Sequence, residues 1–139
     1  MREPPSSLVK RVAELVSAIS SDPYGIDPNT GMTPLQELRW LYDAATAAGT
    51  PDPFLTETMA DETIDPHEAI RLYEAAIAQC AKFPGEPIYT KRRDMAERLR
   101  QLGEVERARA QLELAIVDAK GSGELEEAQY LAQFLQKFY

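Results

Sequence analysis

Two side chains in this 139-residue sequence could act as a nucleophile, a general base or a metal ligand: the single cysteine, Cys80, and the single histidine, His67. A catalytic thiol needs a nearby base, and a metal site needs several convergent ligands. His67 follows a proline that begins a predicted helix, and no second His or Cys lies near it. Cys80 lies in an apolar helical pattern beside Ile77 and Phe83, which predicts a buried structural thiol. We therefore expect neither residue to be catalytic.

Motifs that carry chemistry are also missing from the sequence. It contains no glycine-rich phosphate loop, nucleophile elbow, paired-cysteine metal pattern or zinc-binding helix motif. The sequence therefore predicts a protein that is not an enzyme and holds neither a cofactor nor a metal ion.

Charged residues offer a different chemistry, the recognition of another charged group. Residues 91–109 are locally basic, and residues 52–74 are strongly acidic. Arg93 and Arg100 could each bind a carboxylate through two parallel hydrogen bonds. The simpler interpretation is that they form i,i+4 ion pairs with Glu97 and Glu104 on a solvated helix face.

Overall composition narrows the class of partner. The net charge is −8 at pH 7, which disfavours nucleic acid and favours encounter with basic proteins. No apolar run is long enough for a membrane span, and the first residues do not resemble a secretory signal. We expect a cytoplasmic protein that binds neither nucleic acid nor membrane.

The elements that must position these residues are helices. Ala, Leu, Glu, Arg and Gln dominate the second half of the chain, and apolar residues recur there at helical spacing. Thr33 with Pro34 and Gln36, and Asp65 with Pro66, are start signals for two helices. The spacing predicts six helices, over residues 7–20, 34–48, 66–83, 87–102, 104–119 and 124–139, with Ser6 or Ser7 capping the first. The inward residues of the last two are predicted to be Val105, Ala108, Leu112, Ala115, Ile116, Ala119, Leu125, Ala128, Leu131, Ala132, Leu135 and Phe138.

These helices form one all-α domain over residues 1–139. Residues 1–49 supply the first two helices, and residues 50–65 are predicted to be a long loop with at most one helical turn. Its apolar residues, such as Phe54 and Met59, suggest that it lies against the body. Residues 66–120 form the central helices, and residues 124–139 form a capping helix.

Residues 89–120 resemble a tetratricopeptide repeat, a helical hairpin of roughly 34 residues with small side chains at fixed crossing points. The matching positions are Ala96, Leu99, Gly103, Ala108, Leu112 and Ala115. Two positions depart from the motif, since Arg92 stands where an aromatic residue is expected and Lys120 where a proline is expected. The resemblance implies antiparallel helical hairpins in an α-α superhelix of about six helices.

The same resemblance implies a binding groove, because the first helices of such repeats line a concave surface that binds peptides. Carried over to this chain, the groove-facing residues would be Thr90, Arg93, Glu97, Arg100 and Gln101. Trp40 lies off the apolar stripe of its own helix, so it either packs in the core, which is the simpler interpretation, or anchors a partner.

The leading hypothesis is a non-catalytic interaction module, an adaptor or scaffold that binds a peptide or a partner protein. One alternative is an acidic inhibitor of the immunity-protein or antitoxin type, which would mask a basic toxin with residues 52–74. Another is a helical bundle that binds a small molecule or acts as an enzyme. Association into a homodimer is a further possibility, because two-helix repeats expose apolar ends unless they are capped.

Overall fold

The computed structural model describes residues 7–139, and this part of the chain is all-α. A short 3-10 turn, Cys80–Lys82, follows the fourth helix. Ser6, one of the two predicted caps of the first helix, lies outside the described residues. The helices are α1 (Ser7–Ser21), α2 (Pro34–Ala47), α3 (Pro53–Asp61), α4 (Pro66–Gln79), α5 (Tyr89–Gln101), α6 (Val105–Gly121) and α7 (Leu125–Phe138).

Helices from α3 onward pack in chain order, each against the next, while α1 and α2 pack against each other and against α3. A single apolar core runs through this arrangement. It extends from Val12 and Leu38 at one end to Leu112 and Leu131 at the other. None of the helices within residues 7–139 is long and apolar enough to cross a membrane.

Start signals read from the sequence are confirmed where they were predicted. Thr33 and Gln36 form a reciprocal capping box at the start of α2, with Thr33 N–H donating to Gln36 Oε1 at 2.9 Å. Asp65 accepts a hydrogen bond from the His67 amide at the start of α4. These side chains satisfy amide groups that have no partner within the helix.

The helix ends before α6 and α7 share one geometry. Gly103 and Gly123 have φ of +78° and +81°, a conformation that favours glycine. Glu104 N–H donates to Leu99 O at 3.0 Å, and Glu124 N–H donates to Ala119 O at 2.8 Å. Together with bonds from each glycine amide to the carbonyl three residues earlier, these define two matching Schellman motifs.

Residues 50–65 differ from the prediction of a long loop. They contain α3, a helix of nine residues that buries Leu55, Thr56, Met59 and Ala60. Asp52 caps it, accepting hydrogen bonds from the amides of Phe54 and Leu55 at 2.9 and 3.2 Å. The chain therefore has seven helices over residues 7–139 rather than six.

Several residues predicted to face inward are exposed. Val105 and Leu125 are the first residues of α6 and α7, where a side chain lies at the end of the helix beside the turn. Phe138 is exposed at the last residue of α7, and Ala132 is exposed on that helix. The remaining predicted core of these two helices is buried or partly buried.

Candidate binding groove

Two hollows lie side by side where α1, α3, α5 and α7 face solvent. The acidic section has a volume of about 420 Å³, and the aromatic section has a volume of about 210 Å³. Both are lined by Arg93 and Asp94, so the two hollows adjoin at these residues, and we call the pair of hollows the groove. The acidic section is lined by Val9, Phe54, Glu57, Thr58, Asp61, Glu86, Pro87, Thr90, Arg93 and Asp94. The aromatic section is lined by Arg93, Asp94, Ala96, Glu97, Leu112, Tyr130, Leu131, Phe134 and Tyr139.

Negative charge dominates this groove. Five carboxylates and one guanidinium line it within the described part of the chain, namely those of Glu57, Asp61, Glu86, Asp94, Glu97 and Arg93. The Arg93 guanidinium donates to Asp94 Oδ1 at 3.0 Å and so compensates one of the five. Three others have cationic partners outside the lining, since Lys91 pairs with Glu57 and Glu86, and Arg100 pairs with Glu97.

A buried lysine lies beneath the acidic section. Lys91 is fully buried, and its ammonium group donates to Glu57 Oε1 at 3.0 Å, Glu86 Oε1 at 3.2 Å and Pro87 O at 2.7 Å. Three acceptors match the three N–H bonds of an ammonium group. This cluster ties α3 and the α4–α5 connection to α5, and it fixes two carboxylates of the groove in place.

Asp61, the last residue of α3, accepts a hydrogen bond from the buried phenol of Tyr73 on α4. Asp61 as a whole residue is exposed, but protein atoms crowd its carboxyl group. This partial removal from water raises the pKa of Asp61 to about 6, against the hydrogen bond from Tyr73, which lowers it. The like charges of Asp94, Glu57 and Glu62 act in the same direction as burial.

Burial and the neighbouring Asp61 also raise the pKa of Tyr73 well above its ordinary value, so the phenol stays protonated and remains a donor. A nearby cation, Arg98, directs its guanidinium at the main-chain carbonyls of Ala60, Asp61 and Ile64, at 3.3 to 3.4 Å. The carboxylate of Asp61 therefore accepts its hydrogen bond from the uncharged phenol of Tyr73, while other carboxylates lie near it.

The rings of the aromatic section come from α7 and from Tyr139, the residue that follows it. The ring of Phe134 packs against those of Phe138 and Tyr139, with centroid separations of 4.7 and 6.3 Å. The ring centroid of Tyr130 lies 6.5 Å from that of Phe134, and Tyr130 is 59% exposed. The small side chain of Ala96 and the buried Leu112 and Leu131 form the floor of this section. It therefore presents large apolar rings to solvent.

The sequence-predicted site residues divide into two groups. The groove brings together Thr90, Arg93 and Glu97, whereas Arg100 and Gln101 are exposed near the end of α5 and line neither section. The predicted core position of Trp40 is wrong, because this side chain is 57% exposed on α2, away from the groove. Its neighbours along the helix, Leu38 and Leu41, take the inward positions.

The predicted i,i+4 ion pairs of the arginines take other partners. Arg93 pairs with Asp94, and Arg100 pairs with Glu97, with Arg100 Nε 3.1 Å from Glu97 Oε2. Glu104 pairs instead with Arg107 at 2.9 Å. The i,i+3 pairs Arg100–Glu97 and Arg107–Glu104 are both on exposed helix faces, where an ion pair contributes little to stability.

The acidic residues predicted to mask a basic toxin are largely engaged within the protein. Asp52 and Asp65 cap helices, Glu57 binds Lys91, and Glu68 pairs with Arg71. Only part of residues 52–74 therefore presents its charge to the groove, mainly through Glu57 and Asp61.

The two residues that could have been nucleophile or base lie elsewhere. Cys80 is buried, as predicted, and burial raises the pKa of its thiol above the ordinary value. His67 is exposed at the start of α4. Within residues 7–139, no group of three or more His, Cys, Asp or Glu side chains is arranged to hold a metal ion.

Sequence reasoning missed most of the groove's functional groups. Glu86, Lys91 and Asp94 lie far from α3 in sequence, and no local pattern indicates that Lys91 is buried. Asp52 followed by Pro53 was a usable signal, since the same pair type marked the start of α4.

Comparisons of the chain with protein-family models, curated proteins and solved structures find no match.

Proposed function

We propose that this protein is a non-catalytic binding module, similar to tetratricopeptide-repeat proteins, that holds a peptide or a partner protein in the groove. The proposal includes the helix arrangement: α3 with α4 and α5 with α6 are two antiparallel hairpins, and α7 is the cap. In that arrangement α3, α5 and α7 are the helices that line the concave face.

Burial at the motif positions supports the resemblance. Ala96, Ala108 and Ala115 are at most 1% exposed, as small residues at helix crossings must be. Leu99 and Leu112 are also buried, and Gly103 forms the turn between the two helices. Where the motif expects an aromatic residue, Arg92 joins α5 to α6 instead, with its Nε 2.6 Å from Asp118 Oδ2.

One observation carries the proposal: α3, α5 and α7 line two adjoining hollows in which aromatic rings lie next to carboxylates. Tyrosine is among the residues most often found at the centre of binding interfaces, because it buries a large ring at a low cost in conformational entropy. A rigid, concave surface of this kind suits an extended or helical peptide.

Selection from a random peptide library displayed on phage tests this function directly. We expect enriched peptides to bind the full chain in solution and to lose most of their affinity for Tyr130→Ala. Trp40→Ala is the matched control, since it removes an aromatic side chain of similar exposure outside the groove. Failure to enrich any peptide, or loss of affinity only in Trp40→Ala, would contradict the proposal.

Inhibition of a basic protein is a second candidate, because the acidic section could receive a lysine or arginine of a folded partner. It differs from peptide binding in the salt dependence of the association rate. Long-range attraction to the acidic surface would make association fast at low salt and markedly slower at high salt. Once a partner is known, stopped-flow association at two salt concentrations separates the two functions.

A further inference from the structure

We infer that this protein forms a symmetric homodimer through α7, with the α7 helices of two copies packed antiparallel along a stripe of aromatic side chains. The inference does not rest on peptide binding, because its evidence is the outer face of α7. It follows from the side chains that this face exposes and from the way its charges match those of a second copy.

One stripe of α7 lies outside the core. Its members recur at the spacing of a single helix face, and they are Glu126, Tyr130, Gln133, Phe134, Lys137 and Phe138. We call these residues the α7 stripe. All of them are exposed except Phe134, which is partly buried. The core side of the helix is formed instead by Ala128 and Leu131.

Aromatic rings occupy much of the α7 stripe. Phe138 is 58% exposed and Tyr130 is 59% exposed, although both rings lie next to that of Phe134. With Gln133 and Lys137, these rings line an open hollow of about 230 Å³. The rings stay in water because α7 packs mainly against α6, whereas α4, α5 and α6 each pack against a neighbour on both sides. Adjacent exposed rings are typical of an interface.

Opposite charges near the two ends of the stripe make it complementary to itself. Glu126 lies in the first turn of α7 and Lys137 in the last, and neither has an ion-pair partner among residues 7–139. In a twofold dimer each surface meets its own copy, so antiparallel helices bring Glu126 of one copy near Lys137 of the other. A parallel pair would place each charge against its own kind. Charge complementarity therefore selects the antiparallel arrangement.

The positions of the rings fit the same arrangement. With the twofold axis near residue 132, Tyr130 of one copy is level with Phe134 of the other, so aromatic rings meet across the axis. In this register Glu126 is level with Phe138 of the other copy and only about 1.5 Å along the axis from Lys137.

The short length of α7 makes this dimer weak. Its 14 residues span about 21 Å. One pair of such helices is at or below the small end of specific interfaces, which bury about 1,200 Å² in total. The net charge of −8 on each copy adds a long-range repulsion that salt screens. We expect a reversible dimer with a Kd on the order of 10 to 100 μM.

Sedimentation equilibrium of the full chain, at about 0.2 M salt, measures the association. As the protein concentration rises through the expected Kd, the average mass should increase from the 15.5 kDa of the monomer toward twice that mass. Phe138→Ser removes one exposed ring from each copy and should raise the Kd by about tenfold or more. Trp40→Ser, which removes a side chain of similar exposure from α2, should leave the Kd unchanged.

A charge variant tests the second part of the argument. Lys137→Glu places like charges against Glu126 of the other copy and should raise the Kd by about threefold or more. Lys82→Glu changes the net charge equally at an exposed position outside α7, so it is the matched control. An equal effect of the two variants would show that net charge alone matters and would contradict the antiparallel contact.

Crosslinking tests the orientation of the helices. Glu126→Cys and Lys137→Cys variants are mixed and treated with a bis-maleimide linker of about 8 Å. In the antiparallel register like positions are about 15 Å or more apart along the axis, so the linker joins only unlike variants. The natural Cys80 is buried and does not compete. Mass spectrometry identifies the products, and crosslinks between like variants alone would overturn the inference.

The dimer and the proposed peptide site fail separately. Phe138 and Lys137 line neither section of the groove, so the variants at these positions test pairing without altering the peptide site. A natural chain that stays monomeric at every concentration, or a Phe138→Ser variant that pairs as tightly as the natural chain, would overturn the dimer and leave peptide binding as proposed. Thermal melting of each variant shows whether a loss of pairing reflects a loss of folding.

Discussion

The phenol of Tyr73 donates a hydrogen bond to the carboxylate of Asp61 and so joins the buried face of α4 to the last residue of α3. The contact connects the core to the groove. Its donor is a core residue that is 2% exposed, whereas its acceptor lines the acidic section. A change in the charge of Asp61 therefore affects both stability and the groove.

Stability should depend on pH through Asp61. Its pKa is about 6 in the folded protein, above the ordinary value of 3.8, because the protein atoms around the carboxyl group partly remove it from water and disfavour its charged form. The folded state consequently binds the proton more tightly than the unfolded state, and the contribution of Asp61 to the free energy of unfolding falls as pH rises between these two values. Solvent screening of this exposed residue limits the size of the effect.

Urea unfolding of the natural chain and of Asp61→Asn across this pH range measures that contribution. We expect the stability of Asp61→Asn relative to the natural chain to increase from pH 4 to pH 7. Glu74→Gln should show no such trend. A constant difference between Asp61→Asn and the natural chain would contradict the assigned pKa shift.

Replacement of Lys91 should be strongly destabilising. Lys91→Met leaves the carboxylates of Glu57 and Glu86 without their shared ammonium partner, and we expect a loss of about 3 to 5 kcal/mol. Chemical denaturation measures the loss. Adding Glu57→Gln and Glu86→Gln should recover part of it, because the two carboxylate charges that had paired with Lys91 are then removed.

The exposed Lys82 supplies the control for this prediction. Lys82→Met removes a lysine without breaking a buried ion pair, and we expect a change within about 0.5 kcal/mol. Similar losses for Lys82→Met and Lys91→Met would show that the buried cluster contributes nothing specific.

Two glycines near helix ends should respond to alanine with opposite signs. Gly103 has φ of +78°, so Gly103→Ala forces a Cβ into a left-handed conformation and should destabilise the protein by about 1 kcal/mol. Gly121 lies in the last turn of α6 with open space where the Cβ of an alanine would lie, so Gly121→Ala should stabilise by about 0.5 kcal/mol. Thermal unfolding of the two variants compares them directly.

Removal of the α3 cap tests whether residues 53–61 form a stable helix in solution. Asp52→Ala leaves the amides of Phe54 and Leu55 without their acceptor and should cost about 1 to 2 kcal/mol. Hydrogen exchange should accelerate within α3 more than within α6. Asp52→Asn keeps an oxygen acceptor and should retain most of the protection.

Local signals accounted for much of the fold. Thr33 with Gln36 began α2 where the capping box predicted, and glycine turns separated α5, α6 and α7 as predicted. The prediction of a loop over residues 50–65 was wrong because α3 is short and buried on much of its surface, so its apolar residues show no clear amphipathic stripe. Its start signal, Asp52 with Pro53, was nonetheless present.

The groove was less predictable than the helices. The resemblance led to Thr90, Arg93 and Glu97 because these three share one helix and one face. Glu57 and Lys91 meet only after α3 packs near α5, over 34 residues of separation, and the sequence does not encode that contact locally. Tyr130 was not singled out, because helical spacing alone does not distinguish an exposed aromatic residue from a core one.

The complete burial of Lys91 also makes the reactivity of its amine a measure of how often the protein opens locally. An acylating reagent in water reacts readily with an exposed amine such as that of Lys82. It reaches Lys91 only in molecules in which the residues that cover Lys91 have moved away. The rate at which Lys91 becomes acylated therefore reports how often α3 and the α4–α5 connection separate from α5. A ligand bound above Glu57 and Glu86 would slow the acylation of Lys91. The acylation rate would therefore measure how much of the protein has a ligand in the groove, although Lys91 itself does not contact that ligand.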